Sequence, residues 1–190
     1  MKLSKIEVET KSGKEFFNYC NDDLDFQLLD FWKWNQSNLL ENRTRGILAE
    51  FIVMKALNIL SKNRIEWDFF DLRTNSGKAI EVKSAAYIQS WEQRKLSTIQ
   101  FGIHKTKSDA SNPLYDGKEQ RWADYYIFCL LVEKNQNKIN PMDLTQWKFY
   151  VLETKVLDEK VGNQKTIGLK SILKLEPTVC NYYELKKVFE

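Results

Sequence analysis

The chain has 190 residues, of which 43% are hydrophobic, 13% aromatic and 29% charged, and its formal net charge is +3. This composition suits one folded domain with a sizeable core, and the scarcity of glycine and proline excludes a disordered or collagen-like chain. No apolar run approaches the roughly 18 residues of a membrane-spanning helix, and the first residues lack the apolar stretch of a signal peptide, so we expect a cytoplasmic protein with no membrane partner.

Cysteine and histidine usage excludes several kinds of site. Cys20, Cys129 and Cys180 lie far apart in an odd-numbered set, which is typical of reduced thiols rather than a disulfide framework or a zinc site. His104 is the only histidine, and we expect it to be structural or exposed. The weakly basic charge permits a nucleic-acid partner without requiring one.

The N-terminal quarter contains one segment with the alternation of a strand and one with the apolar spacing of a helix. Residues 6–10 alternate polar and apolar side chains and residues 11–14 have turn chemistry, which predicts a short hairpin within residues 1–20. Leu24, Leu28 and Phe31 recur at helical spacing, which predicts a helix over residues 22–34.

A longer helix is predicted over residues 39–60. Asn38 followed by Glu41 has the spacing of a capping box, and an apolar stripe follows it at helical spacing. Glu50 lies within this stripe, where a carboxylate is costly unless it is paired or bound to a metal ion. Two interpretations follow: a structural ion pair, for which the nearby basic residues are Arg43, Arg45 and Lys55, or a role in a site.

The most informative stretch is residues 64–83. Residues 64–72 are rich in aromatic and apolar side chains, residues 74–77 have turn chemistry and residues 78–83 alternate, so we expect two strands joined by a tight turn. On the second strand the period of two places Glu81 and Lys83 on one face, and Ile80 and Val82 on the other.

Asp71 is expected to lie beside Glu81 across this hairpin. On the first strand it shares a face with Trp67 and Phe69, whereas Asp68 faces the other way and is the weaker candidate unless a bulge intervenes. Two adjacent carboxylates repel unless a cation lies between them, and Mg²⁺ prefers such oxygen ligands. With the amine of Lys83, these groups are the minimal set for metal-assisted phosphodiester hydrolysis.

The rest of the chain predicts further strands. Residues 98–103 place Ile99, Phe101 and Ile103 on one face, residues 123–132 have the continuous apolarity of a strand buried on both sides, and residues 147–153 form another strand. Residues 104–121 are expected to form a long surface loop, either functional or merely solvated, which carries Lys105, Lys107, Lys118 and Arg121. In the tail, residues 166–169 are expected to be extended, 170–174 a helical turn and 181–189 a terminal helix.

Asp71, nine intervening residues and then Glu81-Val82-Lys83 resemble the signature of the PD-(D/E)xK nuclease superfamily, which has the restriction-endonuclease-like fold. Phe70 stands where the signature has its loosely kept proline. Residues 84–91 are similar to a group of small uncharacterised bacterial proteins of this fold. The resemblance implies an α/β domain with a mixed central β-sheet flanked by helices in an αβββαβ core.

The same resemblance implies one domain and a catalytic centre. Residues 1–37 would be an N-terminal hairpin and helix, residues 38–153 the catalytic core and residues 154–190 a C-terminal helical segment. It implies a Mg²⁺-dependent nuclease acting on DNA, in which Mn²⁺ can substitute as the metal. Asp71, Glu81 and the Val82 carbonyl would hold the metal, Lys83 would orient the attacking water, and Glu50 would support a second ion or the water.

Further residues are candidates for contacts with nucleic acid. They are Ser84, Gln100, Trp91, Arg94, Lys95, Lys105 and Lys107. Ordinary strand hydrogen bonds explain Ser84 and Gln100 equally well, and Trp91 also suits a core position. A non-catalytic DNA-binding or assembly module with the same fold stays open as an alternative, as do RNA as a substrate and a homodimer.

Overall fold

The computed structural model describes residues 6–60, 63–64, 69–107, 117 and 119–190. The protein is an α/β fold built on a five-stranded mixed sheet, as predicted. In these residues the strands are β1 Phe16–Tyr19, β2 Asp22–Gln27, β3 Leu72–Arg73, β4 Ala79–Ala86, β5 Gln100–Gly102, β6 Thr106–Lys107, β7 Glu119–Gln120, β8 Tyr125–Leu131, β9 Trp147–Glu153, β10 Thr166–Gly168 and β11 Thr178–Cys180. The helices are α1 Leu28–Gln36, α2 Asn42–Ala56, α3 Thr154–Val161 and α4 Leu169–Lys174.

The central sheet has the strand order β11–β9–β8–β4–β3. Strand β4 pairs parallel with β8 and antiparallel with β3, while β9 pairs antiparallel with both β8 and β11. Strand β8 lies in the middle and is buried on both faces, which confirms the interpretation of its apolar run, and β9 occupies the predicted residues 147–153. Four sheet strands, rather than three, lie between α2 and α3 along the chain.

Each face of the sheet is covered by its own core. Helix α2 packs Ala49, Ile52 and Val53 on one face, where they meet alternate side chains of β4, β8 and β9. Strands β5 and β10 pair with each other and, with α3 and α4, cover the opposite face. The predicted common face of residues 98–103 is confirmed, because Ile99, Phe101 and Ile103 are all buried in this second core.

Helix α2 is shorter than predicted at both ends. Its N-cap is Glu41, whose carboxylate accepts hydrogen bonds from the backbone N–H groups of Arg43 and Thr44, at 3.0 and 2.9 Å. Asn38 lies one turn earlier and accepts from the Glu41 backbone N–H, so it supports the cap rather than forming it. The helix ends at Ala56, and Asn58 turns the chain with a φ of +52°.

The N-terminal predictions are wrong in position. Residues 6–15 form no strand, and the hairpin is β1–β2, with Cys20 and Asn21 at positive φ in a two-residue turn. Residues 22–27 form a strand rather than the start of a helix. The position of Leu24 fits both a helical and a strand pattern. Pairing of β2 with β1 selects the strand.

The tail is less helical than predicted. Strand β11 adds to the edge of the central sheet beside β9 and buries Cys180, and the predicted helix over residues 181–189 is reduced to a 3-10 turn, Leu185–Val188. Helix α3 was not predicted, whereas β10 and α4 lie where the extended piece and the helical turn were expected. No helix among the described residues is long and apolar enough to cross a membrane.

Arg121 is a buried anchor rather than a residue of a surface loop. Its guanidinium donates to the Ile103 carbonyl at 2.8 Å, to the Gly162 carbonyl at 2.9 Å and to the Asp158 carboxylate at 2.5 Å. It therefore joins the segment that follows β5 to α3 and to the turn after α3. Within the predicted loop, β6 pairs with β7, and residues 108–116 and 118, including Lys118, lie outside the described residues.

Replacing Arg121 by Ala is expected to lower the free energy of unfolding by about 3 kcal/mol, because buried carbonyl oxygens lose their donors and Asp158 loses its closest cation. Urea unfolding followed by circular dichroism measures this. Lys105→Ala is the matched control: its amine lies 3.9 Å from the same carboxylate, and we expect a change below about 0.5 kcal/mol. Equal losses of unfolding free energy in the two variants would show that only the positive charge beside Asp158 matters, and not the hydrogen bonds to the carbonyl oxygens.

Candidate active site

The turn between β3 and β4 follows the predicted residues. The Gly77 N–H donates to the Thr74 carbonyl at 2.9 Å, and Gly77 has a φ of +87°, which favours glycine. The Thr74 hydroxyl accepts from the Lys78 N–H at 2.9 Å and closes the turn. The described part of the first strand is short, and residues 65–68 lie outside the described residues, so the alternation of Trp67 and Asp68 stays a prediction.

Strand β4 alternates as predicted. Ile80 and Val82 are buried in the core beneath α2, whereas Glu81 and Lys83 are half-buried and lie on the opposite face. Since a strand directs successive side chains to opposite faces, the burial of one pair determines where the other pair lies. The acid and the amine are therefore held by the core rather than by a flexible loop.

Asp71 is held against the backbone of β4. Its N–H donates to the Ile80 carbonyl at 3.0 Å, and its carboxylate accepts from the Val82 N–H at 2.7 Å. Residues two positions apart in a strand direct their backbone N–H and C=O groups toward the same neighbouring strand. The Ala79 carbonyl accepts from the Asp124 N–H on the β8 side, whereas the Ile80 carbonyl accepts from Asp71 on the β3 side. The Val82 carbonyl thus opens toward the edge at which the Asp71 carboxylate lies.

The pKa of Asp71 is raised to about 7. Burial is the largest cause, followed by the negative charges of Glu81 and then Glu50, and these outweigh the hydrogen bond from Val82 and the charge of Lys83. Glu81 and Glu50 are therefore close enough to act on Asp71. Their ionised forms repel in a partly buried position, which a cation would relieve.

Lys83 forms an ion pair and hydrogen bond with Glu81. Burial by itself would lower the pKa of Lys83, but Glu81, Asp71 and Glu50 raise it on balance. The side chain is thus an ammonium donor at neutral pH. It balances the charge of Glu81 within the chain.

The carboxylate of Glu50 points at an arginine, but not at one of the basic residues that the sequence predicted as its partners. Its carboxylate is 14% exposed and accepts a fork of two hydrogen bonds from Arg64, at 2.6 and 3.0 Å. The partner is Arg64 and not Arg43, Arg45 or Lys55. Arg45 is buried and bonds instead to Leu40, Asn42 and Gln89. Glu50 still contributes to the potential at Asp71 and Lys83.

These residues line two depressions. Glu81 and Lys83 line a narrow polar cleft with Tyr126 and Arg121. Asp71 and Glu50 line a wider, more apolar groove between α2 and β3, whose other lining residues include Phe51, Phe70 and Arg73. The two carboxylates of the predicted pair thus open toward different depressions, although Glu81 is the strongest charge acting on Asp71.

A family comparison now bears on this arrangement. The model of the family described as bacteriophage T4 endonuclease IV matches residues 2–171, which is most of the chain and includes all the acids discussed above. The protein belongs to this endonuclease family. The match supports a nuclease, and it does not by itself place the chain in the PD-(D/E)xK superfamily. A search of curated protein sequences found no match.

The residues proposed to contact nucleic acid are dispersed in this family member. Ser84 alternates with Lys83 on β4 and so lies on the face opposite to it. Gln100 donates to the Thr166 hydroxyl at 2.7 Å, as an ordinary contact between strands. Trp91, Arg94 and Lys95 are exposed on the loop after β4. Lys107 is exposed on β6, and Lys105 lies 3.9 Å from Asp158.

Sequence reasoning missed three residues of the site. Arg64 pairs with Glu50, and His104 and Tyr126 line the cleft beside Glu81. Tyr126 was detectable in principle, because it lies opposite Glu81 in the β4–β8 register. Parallel pairing with β8 was not predicted, and Arg64 was interpreted only as part of a strand.

Asp71→Asn is expected to stabilise the metal-free protein by about 1 kcal/mol at pH 8, measured by urea unfolding in EDTA. The pKa of Asp71 is higher in the folded chain, at about 7, than in the unfolded chain, at about 4. Ionisation of Asp71 therefore lowers the free energy of unfolding of the wild type as the pH rises from about 4 to about 7. The stability that the variant gains over the wild type should vanish at about pH 4.

Asp143→Asn is the control for this measurement. Hydrogen bonds, the largest from the Thr145 hydroxyl and the next from its N–H, lower the pKa of Asp143. Its replacement should reduce stability at pH 8 rather than raise it. A loss of stability in the Asp71 variant at pH 8 would contradict the electrostatic account.

Proposed function

We propose that the protein is a Mg²⁺-dependent nuclease that hydrolyses phosphodiester bonds in DNA. The observation that carries the proposal is the placement of Asp71 on the Val82 backbone next to the Glu81–Lys83 pair, whose acid is the strongest charge on Asp71, in a chain that belongs to an endonuclease family. The same observation supports our inference that the chain is a PD-(D/E)xK nuclease, because these are the residues of that signature.

The donor set suits a hard divalent cation. Asp71, Glu81 and the Val82 carbonyl would hold Mg²⁺, and Mn²⁺ is expected to substitute because both ions accept oxygen ligands. Among the described residues no three acidic, histidine or cysteine side chains are grouped as a ready metal site, so the proposed set relies on two carboxylates and a backbone oxygen. When bound, the ion would offset charge on the phosphoryl oxygens and the leaving 3′-oxygen.

Lys83 and Glu50 would have supporting roles. The Lys83 ammonium is a donor, so it would orient the attacking water and stabilise the negative charge of the pentacovalent phosphate. Release from Glu81 would free it for this role once a cation balances the acid. Glu50 would act on a second ion or the water, provided that Arg64 leaves one carboxylate oxygen available.

Basic residues near the cleft suit a polyanion. Lys105 and Lys165 lie with His104 around a depression that adjoins the cleft of Glu81 and Lys83. With Arg94, Lys95 and Lys107 they would contact the phosphates of DNA, whereas the exposed Trp91 would stack on a base. RNA is the competing substrate, and we include it in the assay below.

One observation favours a non-catalytic module. Glu50 and Glu81 are each neutralised by a basic side chain of the same chain, which a structural role also explains. The completeness of the set argues for the nuclease, because both acids and the lysine are present and the charges of Glu81 and Lys83 act on Asp71. A metal ion distinguishes the two functions, since only the nuclease requires one.

Mg²⁺ or Mn²⁺ is expected to raise the melting temperature of the wild type, because only the folded chain assembles the ligands. Asp71→Asn should respond much less, and Lys83→Ala should still respond because it keeps both acids. Thermal melts at several metal concentrations measure this, with Ca²⁺ as a non-catalytic comparison. Identical responses of the wild type and Asp71→Asn would remove the metal from the proposal.

Cleavage is expected to fall at least about a hundredfold in Lys83→Ala and Asp71→Asn, because each loses charge stabilisation at the reacting phosphate. The assay uses plasmid, single-stranded and branched DNA, and RNA, with Mg²⁺, Mn²⁺ or EDTA. Lys78→Ala is the control, since Lys78 is exposed at the start of the same hairpin strand. Equal cleavage by Lys83→Ala and the control, or DNA binding without any cleavage, would favour the non-catalytic module.

Glu50→Gln is expected to reduce cleavage with little change in the melting temperature. The glutamine keeps an oxygen for Arg64 but removes the charge that acts on Asp71. Glu92→Gln, at an exposed carboxylate, is the control. Full activity in Glu50→Gln would leave Glu50 as the structural partner of Arg64.

A further inference from the structure

Tyr126 introduces a hydroxyl group into an otherwise apolar strand. It lies near the start of β8, and the residues that follow it in the strand, residues 127–131, are all hydrophobic and buried. Tyr126 itself is 3% exposed and belongs to the second core, where its ring stacks on Phe128 with the ring centroids 5.8 Å apart. A phenylalanine would fill the same space, so the packing of the core does not account for the hydroxyl.

The hydroxyl of Tyr126 has no hydrogen-bond partner in the described part of the chain. It is nevertheless not one of the fully enclosed polar side-chain atoms without a partner, which among the described residues are the Arg45 Nε and the Thr154 Oγ1. Tyr126 lines the narrow cleft with Glu81 and Lys83, so its hydroxyl reaches the open space of that cleft. A nearly buried hydroxyl of this kind costs stability unless a ligand or water satisfies it.

The register of the central sheet places Tyr126 beside Glu81. The two residues are direct partners in the parallel pairing of β4 with β8, and partners in adjacent strands extend their side chains to the same face. Lys83 is two residues further along β4 and lies on this face as well. Burial raises the pKa of Tyr126, and the charge of Glu81 raises it further, so the hydroxyl keeps its proton and is a donor at neutral pH.

The size and charge of the cleft suit a phosphate group. The cleft offers about 90 Å³ of space to water-sized groups, whereas the groove that contains Asp71 offers about 550 Å³. A single water molecule needs about 10 to 15 Å³ of such space, so the cleft has room for a phosphate group and a few waters. Among the described residues that line the cleft Glu81 is the one acid, and Lys83 balances its charge.

A donor at this position would stabilise the transition state of phosphodiester hydrolysis. In the proposed nuclease a cation neutralises Glu81, which leaves the Lys83 ammonium and the Tyr126 hydroxyl as donors in the same cleft. Negative charge grows on the phosphoryl oxygens as the pentacovalent phosphate forms, so a donor held in place contributes more there than in the ground state. Phe128 and the second core hold the Tyr126 ring, so the hydroxyl is oriented before the substrate binds.

We propose that Tyr126 is a further catalytic residue, whose hydroxyl donates a hydrogen bond to a phosphoryl oxygen of the phosphodiester that is cleaved. This inference rests on the proposed nuclease function, and it adds a residue that the signature of Asp71, Glu81 and Lys83 does not contain. The hydroxyl keeps its proton throughout, so the contact changes neither the atoms nor the charges that hydrolysis exchanges.

Tyr126→Phe removes the hydroxyl alone. With Mg²⁺, kcat for DNA cleavage is expected to fall about tenfold to a hundredfold while KM changes less than about threefold, because the contact strengthens in the transition state. The melting temperature should stay close to that of the wild type, since phenylalanine keeps the ring and the hydroxyl bonds to no described residue. DNA affinity in Ca²⁺ should change less than about threefold for the same reason as KM.

Tyr125→Phe is the matched control. Tyr125 is the preceding residue of β8 and packs on the opposite face, in the core beneath α2, with its ring centroid 5.1 Å from that of Phe189. Loss of its hydroxyl should leave kcat unchanged. A clear fall in the melting temperature of Tyr126→Phe would assign its hydroxyl a structural role and overturn the inference.

Phosphorothioate DNA locates the contact. The substrate is an oligonucleotide that the wild type cleaves at a single position, with sulfur in place of either non-bridging oxygen at that position. Sulfur is a weak hydrogen-bond acceptor, so at one of the two oxygens it should slow the wild type at least about threefold more than it slows Tyr126→Phe. Equal slowing of both proteins at both oxygens would place the hydroxyl away from the phosphate and overturn the inference.

The same assays distinguish this inference from the function on which it rests. Cleavage by the wild type together with an unchanged kcat in Tyr126→Phe would overturn the role of Tyr126 and leave the nuclease intact. A wild type that cleaves none of the nucleic acids with either metal would overturn the nuclease, and the role of Tyr126 with it.

Discussion

The two-residue alternation of β4 is the constraint on which the candidate site depends. Ile80 and Val82 are committed to the core beneath α2, and their burial leaves Glu81 and Lys83 on the opposite face. The backbone of Val82 meanwhile holds the Asp71 carboxylate at the edge. A slip of one residue would bury an acid and a lysine and expose two core side chains, so the hydrophobic core and the chemistry specify the same register.

Charge balance distinguishes Asp71 from the other two acids. Glu50 meets Arg64 and Glu81 meets Lys83, and both pairs satisfy their charges within the chain. Asp71 receives a backbone hydrogen bond, yet its pKa is raised by burial and by the acids around it. In the proposed mechanism, a cation bound here would stabilise the ionised form of Asp71 and would compete with Lys83 for Glu81.

The fold consists of a basic body, built on the central sheet, and an acidic N-terminal part that is made of β1, β2 and α1. The body has two closed cores and buried anchors such as Arg121, whereas the hairpin and α1 bury almost nothing. Electrostatics would keep a polyanion on the body.

Local chemistry in the sequence determined the β3–β4 turn, the alternation of β4 and the buried strands β8 and β9, because these depend on nearby side chains and burial on one or both faces. It also predicted the grouping of Asp71, Glu81 and Lys83, whose catalytic role stays a prediction. Only the tertiary structure decided that Glu50 pairs with Arg64 and that Arg121 is buried, since long side chains reach partners distant in sequence. The N-terminal hairpin and β11 were likewise decided by strand pairing, whose partners no local pattern specifies.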